Sequence, residues 1–243
     1  GISNMDLLKV EASNGKTRKA TPKEIALHEK YIEADKASKT AKAAMKILDS
    51  ELRSMVGNAN GIERVLILQQ KTQSDVFDED AFLAELSVKQ QKLCQKTSTT
   101  SNGNPSIKGK IGLKTFDKDL DENVKVAAKG HASKFPLSNK KNLPRAIDDK
   151  IKFTHMEFLR SKRAIKTLEW EMKQIEVLLA NSLGSDEGIE GIISWPRSKP
   201  IEETIFSKPE AKKHFPELFA THCTGRPDHI AVKIAEGHPY QFE

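Results

Sequence analysis

The residues best suited to chemistry are sparse and gather near the C-terminal end. His214, His222, Cys223, His229 and His238 lie there, yet no pair has a zinc-ligand spacing such as Cys-x-x-Cys or His-x-x-x-His with matching partners. Cys94 or Cys223 with a histidine would make a thiolate pair. Cys223 directly follows His222, and adjacent residues rarely supply that geometry; a free cysteine is more often a small buried apolar residue. The acids Asp75, Asp78, Glu79 and Asp80 suit the first turn of a helix, where the dipole favours them. Asp117, Asp119 and Asp121 imitate a calcium loop, but the loop glycine is missing and Ala128 stands where the closing glutamate belongs. No phosphate-cradling Gly-x-x-x-x-Gly-Lys loop and no Gly-x-Gly-x-x-Gly occurs. The expectation is a protein without metal, cofactor or catalytic residues.

The basic residues say more. The 243-residue chain carries a net charge of +6. Residues 101–150 hold 11 Lys+Arg against 6 Asp+Glu, and a second basic spot surrounds Lys16, Arg18 and Lys19. Lysine and arginine clusters of this kind follow phosphates. The candidate nucleic-acid contacts are Lys16, Arg18, Lys19, Lys108, Lys110, Lys114, Lys140, Lys141 and Arg145; the plainer alternative is a solvated, partly flexible linker. Trp170 and Trp195 are candidate partner-binding anchors, since exposed aromatics often carry interfaces. Two cysteines give no disulfide framework. No run approaches the roughly 18 apolar residues of a spanning helix, and no basic-then-apolar leader opens the chain. A cytoplasmic protein without a membrane segment is expected.

The elements that must hold these residues repeat. Gly57-Asn58-Ala59-Asn60-Gly61-Ile62-Glu63 and Gly184-Ser185-Asp186-Glu187-Gly188-Ile189-Glu190 lie 127 residues apart. At the same offset His28 meets His155, Tyr31 meets Phe158, Lys39 meets Lys166, Met45 meets Met172 and Leu52 meets Leu179. A fixed-period match of this kind is read before anything else. Thr21, Pro22 and Glu24 form a helix start. Ala41, Met45, Leu48, Leu52 and Met55 then recur at helical steps, predicting a helix over 22–56 of roughly 50 Å. Gly57 suits its C-cap. Leu168, Met172, Ile175 and Leu179 repeat the stripe. Strands are expected at 64–68 and 107–113, and again at 189–195 and 230–234. A shorter helix is expected between each pair, at 77–93 and 206–219. Cys94 and Cys223 fall at similar places after those helices.

The expected class is α+β: two repeated modules, each long helix–strand–shorter helix–strand, with the two long helices packed together. The divisions are a flexible basic arm over 1–20, module 1 over 21–113, a basic connector over 114–146 and module 2 over 147–243. About 37% apolar and 30% charged residues suit small cores and long solvated helices. The duplicated histidines His28 and His155, at equal positions, suit a core or cap role.

The second module reads Gly188-Ile189-Glu190-Gly191-Ile192-Ile193-Ser194-Trp195, then Phe206-Ser207-Lys208-Pro209-Glu210-Ala211, Phe215-Pro216-Glu217-Leu218-Phe219 and a strand ending Val232-Lys233. This resembles the C-terminal tail of YqaJ-type viral recombinases, the phage nucleases related to lambda exonuclease. Trp195-Pro196 departs from that tail's Trp-Lys pairing. In the first module Phe77-Asp78-Glu79-Asp80-Ala81-Phe82 fits the tail's short helix, with Gln69 and Gln70 near the Trp position. The nuclease core of that family, metal-binding acids followed by Glu-x-Lys, has no counterpart here, so no catalytic residue is carried over. The resemblance implies a non-catalytic phage or prophage accessory protein that binds DNA or a nuclease or recombination partner. Two alternatives stand beside it: an interaction module or inhibitor that mimics a nuclease tail, and a fragment of a larger phage exonuclease.

Overall fold

The computed structural model describes residues 13–100, 103–110, 113–131, 134–197, 201–237 and 240. Most of the expected basic arm (1–12), Ile111 and Gly112 of an expected strand, and His238 lie outside the described residues.

Thr17–Arg18 forms β1 and Pro22–Val56 forms α1. A hairpin follows, β2 (Gly61–Ile62) and β3 (Leu66–Lys71). Next come β4 (Val76–Phe77), α2 (Glu79–Ala84), α3 (Val88–Leu93), β5 (Gln95–Thr100) and β6 (Ser106–Ile107). α4 (Lys114–Ala128) and a 3-10 turn (Leu137–Lys141) lead into α5 (Asp149–Ser182). A second hairpin, β7 (Gly188–Ile189) and β8 (Ile193–Ser194), precedes β9 (Ile201–Phe206), α6 (Lys208–His214), α7 (Pro216–Thr221), β10 (Cys223–Thr224) and β11 (His229–Ile234). The fold is mixed α+β, and α1 packs along α5.

The described residues fall into two compact units. One is drawn from Gly1–Gln69, Gly103–Ser198 and Val232–Glu243, the other from Gln70–Asn102 and Lys199–Ala231. Each takes segments from both halves of the chain, so neither coincides with one half.

In the first unit the halves exchange strands. β1 of the first half pairs with β7 of the second, and β6 of the first half pairs with β8 of the second. The reverse trade gives the order β11–β3–β2. The bonds recur at an offset of 127. Ile107 pairs with Ile193, Lys108 N–H donates to Ile192 O at 2.7 Å, and Ala235 N–H donates to Val65 O at 2.8 Å. Glu190 N–H donates to Arg18 O at 2.8 Å, and Glu63 N–H donates to Arg145 O at 2.9 Å. The hairpins share one register, Gly61 with Ile67 and Gly188 with Ser194. A Cβ on Gly61 would lie 2.4 Å from Leu66 O, and one on Gly188 would lie 2.9 Å from Ile193 O. Glycine is therefore needed at Gly61, while Gly188 is tight against the facing strand of its hairpin. The core between helices and sheets gathers Tyr31, Ile107, Ile175, Leu179, Ile193 and Trp195.

The second unit has an aromatic core. The Phe77 ring stacks on Phe219 at 4.3 Å and lies 5.3 Å from Phe82, which is fully buried with Cys94 and Ala211. Its strands also cross between halves, β4 with β10 and β5 with β9. Asp78 caps α2 through Ala81 N–H, and Ser207 caps α6 through Glu210 N–H.

Several expectations are corrected. The helix expected over 77–93 is two helices, because Ser87 starts α3 with a capping box to Gln90. That over 206–219 breaks at Pro216, which opens α7. The polar stretch 95–100, outside any expected strand, forms β5 through its backbone pairing with β9. By the 127-residue offset Ile107 corresponds to Ile234, the last residue of β11. Cys94 caps α3 while His222 caps α7, so Cys223 is not its counterpart. The connector holds a 15-residue helix, α4, docked on α1. The described part of the arm is also docked: Ser13 N–H donates to Arg197 O and Asn14 N–H donates to Ser185 O.

Candidate functional site

Four of the expected phosphate contacts serve the fold. Arg18 makes a paired hydrogen bond to Glu24, at 2.8 and 2.6 Å, and donates to Ser182 O at the end of α5. Arg145 does the same for the other helix, donating to Met55 O at the end of α1 and to Asp148 at 3.1 Å. Cations at a helix C-terminus satisfy its open carbonyls and its dipole. Lys140 donates to Leu68 O at 2.8 Å, and the Lys110 ammonium sits 5.0 Å from the Tyr31 ring centroid. Lys16, Lys19, Lys108, Lys114 and Lys141 are exposed; the first two flank β1, and the others sit on separate elements. Of the two tryptophans, Trp195 is 3% exposed, donating its indole N–H to Gly103 O, so it belongs to the core. Trp170 is 66% exposed on α5.

The duplicated histidines also hold backbone. His28 Nε2 lies 2.8 Å from Lys108 O, and His155 Nε2 lies 2.7 Å from Ala235 O. A carbonyl only accepts, so Nε2 carries the proton in both rings. His155 is fully buried, and its Nδ1 lies 2.9 Å from the Tyr240 hydroxyl. Of the C-terminal histidines, His214 pairs with Glu210 and His222 with Glu85. Among the described residues no group of His, Cys, Asp and Glu could hold a metal ion. Burial pushes the Cys94 thiol above its ordinary pKa, with Glu210 adding to the shift, which disfavours the thiolate a nucleophile needs.

The structure brings together a different basic set. At the crossing of α1 and α5, Lys42, Lys46, Lys162 and Lys166 rim a groove of about 330 Å³ floored by Met45 and Ile165. Glu169 is the acid on its edge, 2.9 Å from Lys42 Nζ. Arg163 and Lys166 continue the basic rim into a neighbouring groove, where Glu236 pairs with Lys162. Sequence reasoning missed these lysines because the helix stripe was read only for its apolar members. The signal was present: Lys39, Lys42 and Lys46, and Lys162 and Lys166, recur at three- and four-residue steps.

Exchanging the halves sends the groove's charged residues to Glu169, Lys173, Asp35, Lys39 and Lys42. That counterpart set carries two carboxylates among five charged positions, against one in the groove, and Lys39 pairs with Asp35 and Asp117, at 3.7 and 3.0 Å. The groove is thus the more basic of the two sets.

Comparison with protein-family models, with curated proteins and with solved structures gives no match. Among the described residues no helix is long and apolar enough to cross a membrane.

Proposed function

We propose that this chain is a non-catalytic accessory protein that binds nucleic acid, and that the groove at the crossing of α1 and α5 is its phosphate-tracking surface. The observation that carries this reading is the convergence of Lys42, Lys46, Lys162 and Lys166 on one groove. Ammonium groups on a rigid helix pair contact phosphate oxygens without reading sequence. In this account the chain is two copies of one module that exchange strands. It acts in the cytoplasm, in phage or prophage recombination, beside a nuclease whose tail it resembles. The lysines placed by sequence on the arm and connector become secondary, because Arg18, Arg145, Lys140 and Lys110 are engaged within the fold.

Fluorescence anisotropy with labelled single- and double-stranded oligonucleotides tests it. Binding is expected at low salt. With about four phosphate contacts, a fourfold rise in salt should weaken it about 100-fold. The double reversal K46E/K162E should abolish it while leaving the circular dichroism spectrum unchanged. No binding at low salt overturns the reading. A second reading, docking of a protein partner, is favoured by the exposed Trp170.

A further inference from the structure

On α5 the row of groove lysines runs into an aromatic ring. Lys162 and Lys166 are followed, one turn further on, by Trp170, which is 66% exposed. On a helix a side chain neighbours the residues three, four and seven positions away, not the adjacent ones. For Trp170 these are Arg163, Lys166, Thr167, Lys173, Gln174 and Val177, with no carboxylate among them. The adjacent acids are held elsewhere. Glu169 lies 2.9 Å from Lys42 Nζ, and Glu171 lines a separate groove with Ala34, Ala37 and Leu168. Lys173 pairs with Glu176 at 3.9 Å, so the phosphate track of the groove runs up to Lys166 and stops at the indole. Between the lysines the floor is apolar, Met45 and Ile165.

We propose that the groove takes single-stranded nucleic acid, with its backbone over Lys162 and Lys166 and an unpaired base stacked on Trp170. The inference rests on the nucleic-acid reading of the groove and adds the class of substrate. A duplex turns its phosphates outward and keeps its bases paired and stacked inside. It offers nothing to an apolar floor or to an exposed indole. An unpaired strand offers both kinds of contact, phosphates to the lysines and base faces to the ring. Every base has such a face, so stacking of this kind tolerates sequence. The equivalent place on α1 has no ring to offer. The 127-residue offset puts Ala43 there, in a groove closed by Leu120 and Val124 of α4.

The test uses the full chain, an oligo-dT of about 12 nucleotides, an abasic strand of the same length and a duplex of the same length. The abasic strand keeps the phosphates and removes the bases. Oligo-dT should bind about tenfold more tightly than the abasic strand, and W170A should bring its affinity down to the abasic level. W170F keeps a ring to stack on and should stay within about threefold of the parent protein. Oligo-dT should quench the tryptophan fluorescence of the parent protein but not that of W170F, and the abasic strand and the duplex should quench neither. The double reversal K46E/K162E, read beside these variants, separates the two claims. If it abolishes binding of oligo-dT while W170A binds as the parent does, the groove reading stands and the single-strand inference is overturned. Equal affinity for oligo-dT and the abasic strand also overturns it, as does equal quenching by the duplex. If none of the three ligands binds at low salt, the groove reading falls and takes this inference with it.

Discussion

The two halves of the chain agree at several points where backbone is satisfied and differ at several charged positions along the long helices. Arg18 and Arg145 close equivalent helix ends, His28 and His155 hold equivalent carbonyls, and the two hairpins share one register. Against that, Asp35 stands opposite Lys162, Lys42 opposite Glu169 and Ala43 opposite Trp170. The lesson is that duplicated features maintain the fold, because each half completes sheets begun by the other. Binding is to be sought in the differences.

The sharpest contrast is between the histidines. His155 is fully buried with both ring nitrogens engaged, whereas His28 is less enclosed and engages Lys108 O through Nε2. H155A leaves a cavity and strips partners from Ala235 O and the Tyr240 hydroxyl, and should cost about 4 kcal/mol. H28A should cost about 1 kcal/mol. Urea titrations of both variants check the difference; equal losses would break the comparison.

The hairpin glycines come next. Gly61 has φ 119° and its added Cβ would strike backbone at 2.4 Å, whereas Gly188 has the looser approach of 2.9 Å. G61A should cost about 3 kcal/mol and G188A about 1 kcal/mol, readable as the larger and smaller drop in thermal midpoint.

The helix-end arginines differ in pH response. Arg18's paired hydrogen bonds hold the Glu24 carboxyl down at about 2 from an ordinary 4.5, against the opposing effect of burial and with help from Thr21 N–H. A carboxyl lowered in the folded state stabilises above its unfolded pKa, and that contribution is lost as pH falls from about 4.5 toward 2. The Glu24 counterpart in the second half is Ile151, which does not titrate. E24Q should therefore remove stability at neutral pH and converge on the parent protein near pH 2. A gap between the two that stays constant with pH would contradict the pairing.

How much of this was legible in the sequence depends on range. α1 could be read almost to the residue, because Thr21, Glu24, the apolar stripe and Gly57 are local signals that agree. The 127-residue offset was legible too. The exchange of strands was not, since β1 and β6 have two residues each and find their partners, β7 and β8, in the other half. A two-residue strand has no periodicity to read. The breaks at Ser87 and Pro216 carried signals that a longer apolar pattern obscured. The candidate site was the least legible. Charge counted along the chain pointed to the connector, while the groove joins lysines from positions 42–46 and 162–166 that only the helix crossing brings together.

The claim that function lies in the differences between the halves is tested most directly by one pair of variants at positions that correspond, Lys46 and Lys173. Oligonucleotide affinity is measured for K46E and K173E side by side at low salt. K46E should bind about tenfold more weakly, with a salt slope reduced by about one, while K173E stays within about twofold of the parent protein. Equal losses in both variants, or a loss confined to K173E, would contradict the account.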